Sequence, residues 1–140
     1  MTEIPLGSRD DIHSGGGVGG EKSSPVAFPI PSEELGSVSI SPSGSFEAGS
    51  YQTFTLVYTA GKFGIDDSGS MRICFRFASD QTRPQFENPT GPNYTTIVAS
   101  NNAVLNYHYD QQVNVRPWDR TLYIKVVRGL LKECDTITVI

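Results

Sequence analysis

Ser70-Met71-Arg72-Ile73-Cys74-Phe75-Arg76-Phe77-Ala78 alternates apolar with polar or small residues at every step. Successive side chains of an extended chain point to opposite faces, so Met71, Ile73, Phe75 and Phe77 share one side while Arg72, Cys74 and Arg76 take the other. A helix would scatter both classes around its circumference; a half-buried strand sorts them. Working outward, the same period of two recurs in shorter runs. Ser37–Ser41 places Val38 and Ile40 on one face, and Tyr51–Thr59 does so with Phe54, Leu56 and Tyr58. Toward the C-terminus, Arg120–Arg128 sets Leu122, Ile124 and Val126 against Tyr123, Lys125 and Val127, and Thr136–Ile140 closes the sequence with a further strand. Tyr94–Ser100 and Ala103–Asp110 flank Asn101-Asn102, a pair suited to the positive φ of a tight turn, so these two runs read as a hairpin. Gln111–Pro117 reads as one more short strand. Between Ser79 and Asn93 three prolines exclude a central strand or a helix, leaving a surface connection.

Seven or eight such strands, with no helical period of useful length, predict an all-β domain. The expected form is an antiparallel two-sheet sandwich, immunoglobulin-like or jelly-roll-like. The composition agrees: 140 residues suffice for one core, and 14 Gly and 9 Pro suit a loop-rich β protein. Residues 1–35 differ from the rest. They carry six acids against Arg9 and Lys22 and hold one of the 14 aromatic residues, Phe28, whereas residues 36–140 have equal numbers of acids and bases. So little apolar surface cannot offset the entropy of ordering, and 1–35 is expected to be a flexible arm. Its Gly15–Gly20 tract is low in complexity, and the proline-spaced Ser24–Pro31 favours extended backbone able to lay Val26, Phe28 and Ile30 on the body. The apolar ending Ile137, Val139, Ile140 lacks turn residues; it implies truncation within a longer protein, or else a last strand tucked into a sheet.

A net charge of −4 gives no basic footprint for nucleic acid or anionic membrane. No apolar run approaches the length of a membrane span, and the start lacks the basic and apolar regions of a secretory signal, which favours a cytoplasmic location. Gly15, Gly17 and Gly20 have dinucleotide-motif spacing without the strand and helix that motif needs. Asp66-Asp67-Ser68 lacks the ligand ladder of a calcium loop and reads as a solvated turn. Cys74 and Cys134 have no metal-site spacing. The sequon Asn93-Tyr94-Thr95 carries no chemistry without export.

Two groups remain as candidate sites. A sugar or small ligand can stack on Trp118, with Arg116 and Asp119 fixing its polar edge and Tyr107 and Tyr109 adding aromatic surface. The structural alternative has Trp118 capping the sandwich and Asp119 pairing with Arg116 or Arg120. His108 and Asp110, two apart on one strand face, form a possible acid/base pair, against which stands a plain surface strand. Neither group supplies a metal ligand set, and no cofactor is expected in this chain.

Tyr58–Tyr94 (YTAGKFGIDDSGSMRICFRFASDQTRPQFENPTGPNY) and Arg116–Val139 (RPWDRTLYIKVVRGLLKECDTITV) together resemble the N-terminal region of the bacterial domain-of-unknown-function 3604 family. The resemblance spans roughly residues 36–140 and omits the glycine-rich arm. It implies a β-sandwich preceding a larger domain similar to metal-dependent hydrolases of the polymerase-and-histidinol-phosphatase type. Any divalent metal would sit in that downstream domain. The implied role is a non-catalytic accessory domain whose partner is the downstream domain of the same polypeptide; a carbohydrate- or small-ligand-binding module using the Trp118 surface is the alternative. At Cys134 the resemblance leads one to expect glycine, and a positive φ there would strain cysteine.

Overall fold

A computed structural model describes residues 30–76, 82–111 and 120–140. It is all-β, with seven strands among those residues: β1 (Gly36–Ser41), β2 (Thr55–Ala60), β3 (Ser70–Phe75), β4 (Ile97–Ala99), β5 (Val104–Asp110), β6 (Arg120–Arg128) and β7 (Thr136–Val139). A four-stranded antiparallel sheet, β1-β2-β7-β4, faces a three-stranded one, β3-β6-β5. The alternation read from Ser70 onward is realised: Met71, Ile73 and Phe75 pack on the core and Arg72, Cys74 and Arg76 do not. Phe77 and the run Gln112–Pro117 lie outside the described residues, as does the arm up to Pro29.

The order of strands separates the two expected sandwiches. In an immunoglobulin domain the fifth strand lies between the second and fourth, and the seventh lies beside the sixth. Among the described strands the fifth and seventh have exchanged places, so β7 sits between β2 and β4, an order that is not the immunoglobulin one. That position accounts for the apolar ending. Ile137 is fully buried, Val139 nearly so, and Ile140 exchanges backbone hydrogen bonds with Thr96 (2.9 and 3.1 Å). β7 is paired on both sides, so this last strand offers no open edge for association.

A second correction concerns Asn101-Asn102. Asn102 has the positive φ expected of the pair (62°), yet β4 and β5 belong to different sheets and form no hairpin. The turn is a corner between layers. Asn101 fixes it by donating from Nδ2 to Leu130 O (2.7 Å) and Asp135 Oδ2 (2.6 Å) while its Oδ1 accepts from the Ala103 N–H (3.1 Å). Leu130 and Asp135 flank the β6–β7 connection, so one side chain ties together two crossings between the sheets.

The core lies where the sheets overlap. Leu122, Ile124 and Val126 of β6 meet Ile137 and Val139 of β7, with Ala60, Ile97 and Leu131 completing the cluster. Burying each large aliphatic side chain contributes about 1.5–3 kcal/mol. The proline-rich connection is held by its own polar groups: Gln85 Oε1 accepts from Glu87 and Asn88 N–H (3.0 and 2.9 Å), and its Nε2 donates to Asn88 O (2.7 Å). From this loop Phe86 reaches Tyr107, with ring centroids 4.9 Å apart. One turn of 3₁₀ helix, Ser32–Leu35, leads into β1 against the end of β2. A Cβ on Gly61 would run into Glu34 O and Gly36 N, so glycine is what permits the approach.

Candidate functional site

Strand β5 divides the sequence-predicted residues between two faces. Tyr107 and Tyr109 point into the sandwich, Tyr107 against Phe86 and Tyr109 against Phe75 (6.2 Å between centroids). His108 and Asp110 alternate with them and lie on the outside of the three-stranded sheet, as their spacing predicts. Trp118, Arg116 and Asp119 lie outside the described residues. The two tyrosines are thus committed to core packing.

The outside of the three-stranded sheet is built in three rows by strand register. Arg72, Tyr123 and His108 form the central row; Ser70, Lys125 and Asn106 flank it on one side, Cys74, Thr121 and Asp110 on the other. The Arg72 guanidinium carbon stands 5.5 Å from the Tyr123 ring centre, and the His108 ring lies 5.2 Å from it on the opposite side. Such cation–aromatic contacts contribute about 0.5–1 kcal/mol where exposed. The last row departs from a solvated face, because Thr121 is fully buried and its hydroxyl reaches Cys74 Sγ at 3.9 Å.

The outside of the four-stranded sheet follows the same geometry with different chemistry. Its central row is Ser39, Val57, Thr138 and Val98. Register extends this to Ser37, Thr59, Thr136 and Ser100 on one side and to Ser41, Thr55, Ile140 and Thr96 on the other, the outer pairings being carried by backbone hydrogen bonds. No charged residue stands in these three rows. Thr55, Val57, Thr59, Thr136 and Thr138 are half-buried by one another, which leaves a surface of methyl groups and hydroxyls.

At one end of the molecule an open cleft of about 410 Å³ separates the 3₁₀ turn from the β6–β7 connection. Glu33, Glu34, Lys62, Glu133 and Cys134 line it, and Lys62 Nζ approaches Glu34 Oε1 at 4.0 Å. Cys134 does have positive φ (69°) in the turn Lys132–Asp135, the conformation that favours glycine. Nearby, Tyr58 donates its hydroxyl to Leu35 O (2.8 Å). Burial pushes this phenol above its ordinary value of 10.0, with a hydrogen bond from the Gly61 backbone pulling the other way. Among the described residues no three or more His, Cys, Asp or Glu stand together as a metal site.

The charge-free face escaped the sequence reading because its rows come from four strands distant in the chain. A signal was nevertheless present: the off-core positions of SVSIS, TLVYT and TITV are all serine, threonine or valine. No family model, curated protein or solved structure matches this chain.

Proposed function

We propose that this chain is a non-catalytic accessory β-sandwich domain of a larger, hydrolase-like bacterial protein, and that it packs against and orients a downstream domain of the same polypeptide. The observation that carries this role is the charge-free outer face of the four-stranded sheet. Interface centres are depleted of charge, whereas freely solvated surfaces mix both signs over roughly a quarter to a third of their residues. Hydroxyls and β-branched methyls are far cheaper to dehydrate than lysine or glutamate. The resemblance noted across residues 36–140 supports a partner of the metal-dependent hydrolase kind, where any divalent metal and the reaction itself would reside.

The test is to read the gene past the codon for Ile140, express the whole encoded protein and compare it with Thr138→Lys. That substitution sets a charge at the centre of the face. The expected result is one calorimetric transition for the parent and two for the variant, with Lys125→Ala on the opposite face leaving one. A stop codon after Ile140, two transitions in the parent, or one in Thr138→Lys would each overturn the proposal.

A further inference from the structure

Strand β1 is half of a surface that the rest of the sandwich leaves open. Val38 and Ile40 project on the core side of their sheet, in register with Tyr58 and Leu56, yet they are 61% and 54% exposed. The three-stranded sheet does not reach under them. Phe54, on the same side of β2's leading end, is also exposed and meets Phe46 edge to face at 5.3 Å.

The backbone of β1 is open along the same line. Ala60 donates to Asp135 O and accepts from the Cys134 N–H, so Leu56, Tyr58 and Ala60 turn their peptide groups toward β7. By alternation Thr55, Val57 and Thr59 turn theirs toward β1, where Ser41, Ser39 and Ser37 answer them. Val38 and Ile40 therefore direct N–H and C=O to the outer edge, which no described strand pairs. This edge carries none of the charges, bulges or prolines by which exposed edges are usually blunted.

We infer that this edge is the docking site of the chain's own residues Ser24–Ile30, which pair antiparallel with β1 as an added edge strand. Five residues, Pro31–Leu35, separate Ile30 from Gly36, the length of a hairpin connection. Closing that connection sets Ile30 opposite Gly36, Phe28 opposite Val38 and Val26 opposite Ile40. Antiparallel partners project to the same face, so Phe28 and Val26 would cover the two exposed aliphatics. The prolines agree with this register. Pro25 and Pro29 alternate with Val26, Phe28 and Ile30, so every position that must donate to β1 keeps its N–H and every missing N–H falls on the solvent side. A second copy of the chain, pairing β1 with β1, is the competing occupant. The inference is independent of the accessory role proposed above, since it concerns a strand edge and not the charge-free face.

Amide hydrogen exchange on the full chain tests it, followed residue by residue with Ser39, which bonds to β2, as the internal reference. Val38 and Ile40 are expected to exchange roughly 100-fold more slowly than unprotected amides, at a rate independent of protein concentration. Ala27→Pro should preserve this protection, because the Ala27 N–H faces away from β1. Phe28→Pro should abolish it while Ser39 stays protected. Fast exchange of Val38 and Ile40 in the parent, loss of their protection in Ala27→Pro, or protection that survives Phe28→Pro would overturn the inference. Protection that grows with protein concentration would also do so and assign the edge to a second copy.

Discussion

The two outer faces of this sandwich are made by the same rule and present opposite surfaces to their surroundings. On both, every second residue of each strand turns away from the core and strand register lines these residues into rows. Across β3-β6-β5 the central row is Arg72, Tyr123 and His108, with Lys125 beside it; across β1-β2-β7-β4 it is Ser39, Val57, Thr138 and Val98. Burying the first would strip water from a guanidinium and an ammonium, at a desolvation cost of several kcal/mol per ion. Burying the second dehydrates only hydroxyls and methyls. The contrast teaches that a core pattern leaves the outward positions free to be chosen for contact or for solvation.

Four substitutions in the isolated chain break or sharpen that contrast. The largest effect is expected from Asn101→Ala, which removes three hydrogen bonds at the corner joining the two sheets, one of them to the Asp135 carboxylate. It should cost about 2–4 kcal/mol in urea unfolding, and a loss below about 0.5 kcal/mol would show that the sheets do not depend on this tie. Next, the centres of the two faces can be truncated in parallel. Tyr123→Ala forfeits the Arg72 and His108 contacts and should lose about 1–2 kcal/mol, whereas Thr138→Ala should stay within about 0.5 kcal/mol. Equal losses would mean that the two faces differ in chemistry without differing in self-stabilisation. The only gain is expected from Cys134→Gly in the second crossing between sheets. Relief of the positive φ, less the added freedom of glycine in the unfolded chain, should raise stability by up to about 1 kcal/mol, read as a higher urea midpoint.

Much of this architecture is legible in the sequence where information is local. Period two locates β3 and β6 and names their inward residues correctly, because a half-buried strand needs nothing beyond its neighbours to set which side is apolar. Pairing is another matter. Asn101-Asn102 announces a tight reversal, and a reversal within one sheet has the same local chemistry as a corner between two. The difference is made by Leu130 and Asp135, about thirty residues further along the chain. The same limit applies to the candidate sites. Alternation predicts that His108 and Asp110 share a face, and it equally places Tyr107 and Tyr109 on the opposite one; their commitment to Phe86 and Phe75 depends on segments remote in sequence.

The central place of β7 also sets a schedule. Ribosomes deliver chains from the N-terminus, and β2 and β4 are made long before Thr136–Val139, the only described segment that bonds to both. While β7 is missing, β2 and β4 each lack a neighbour, and the apolar side chains of Leu56, Tyr58 and Ile97 have no Ile137 or Val139 to close over them. Completion of the four-stranded sheet therefore waits until Thr136–Val139 has left the ribosome, and it requires contacts between distant parts of the sequence, the kind that form slowly. During that interval the nascent protein exposes its stickiest strands, which makes synthesis rather than the finished fold the stage most vulnerable to aggregation.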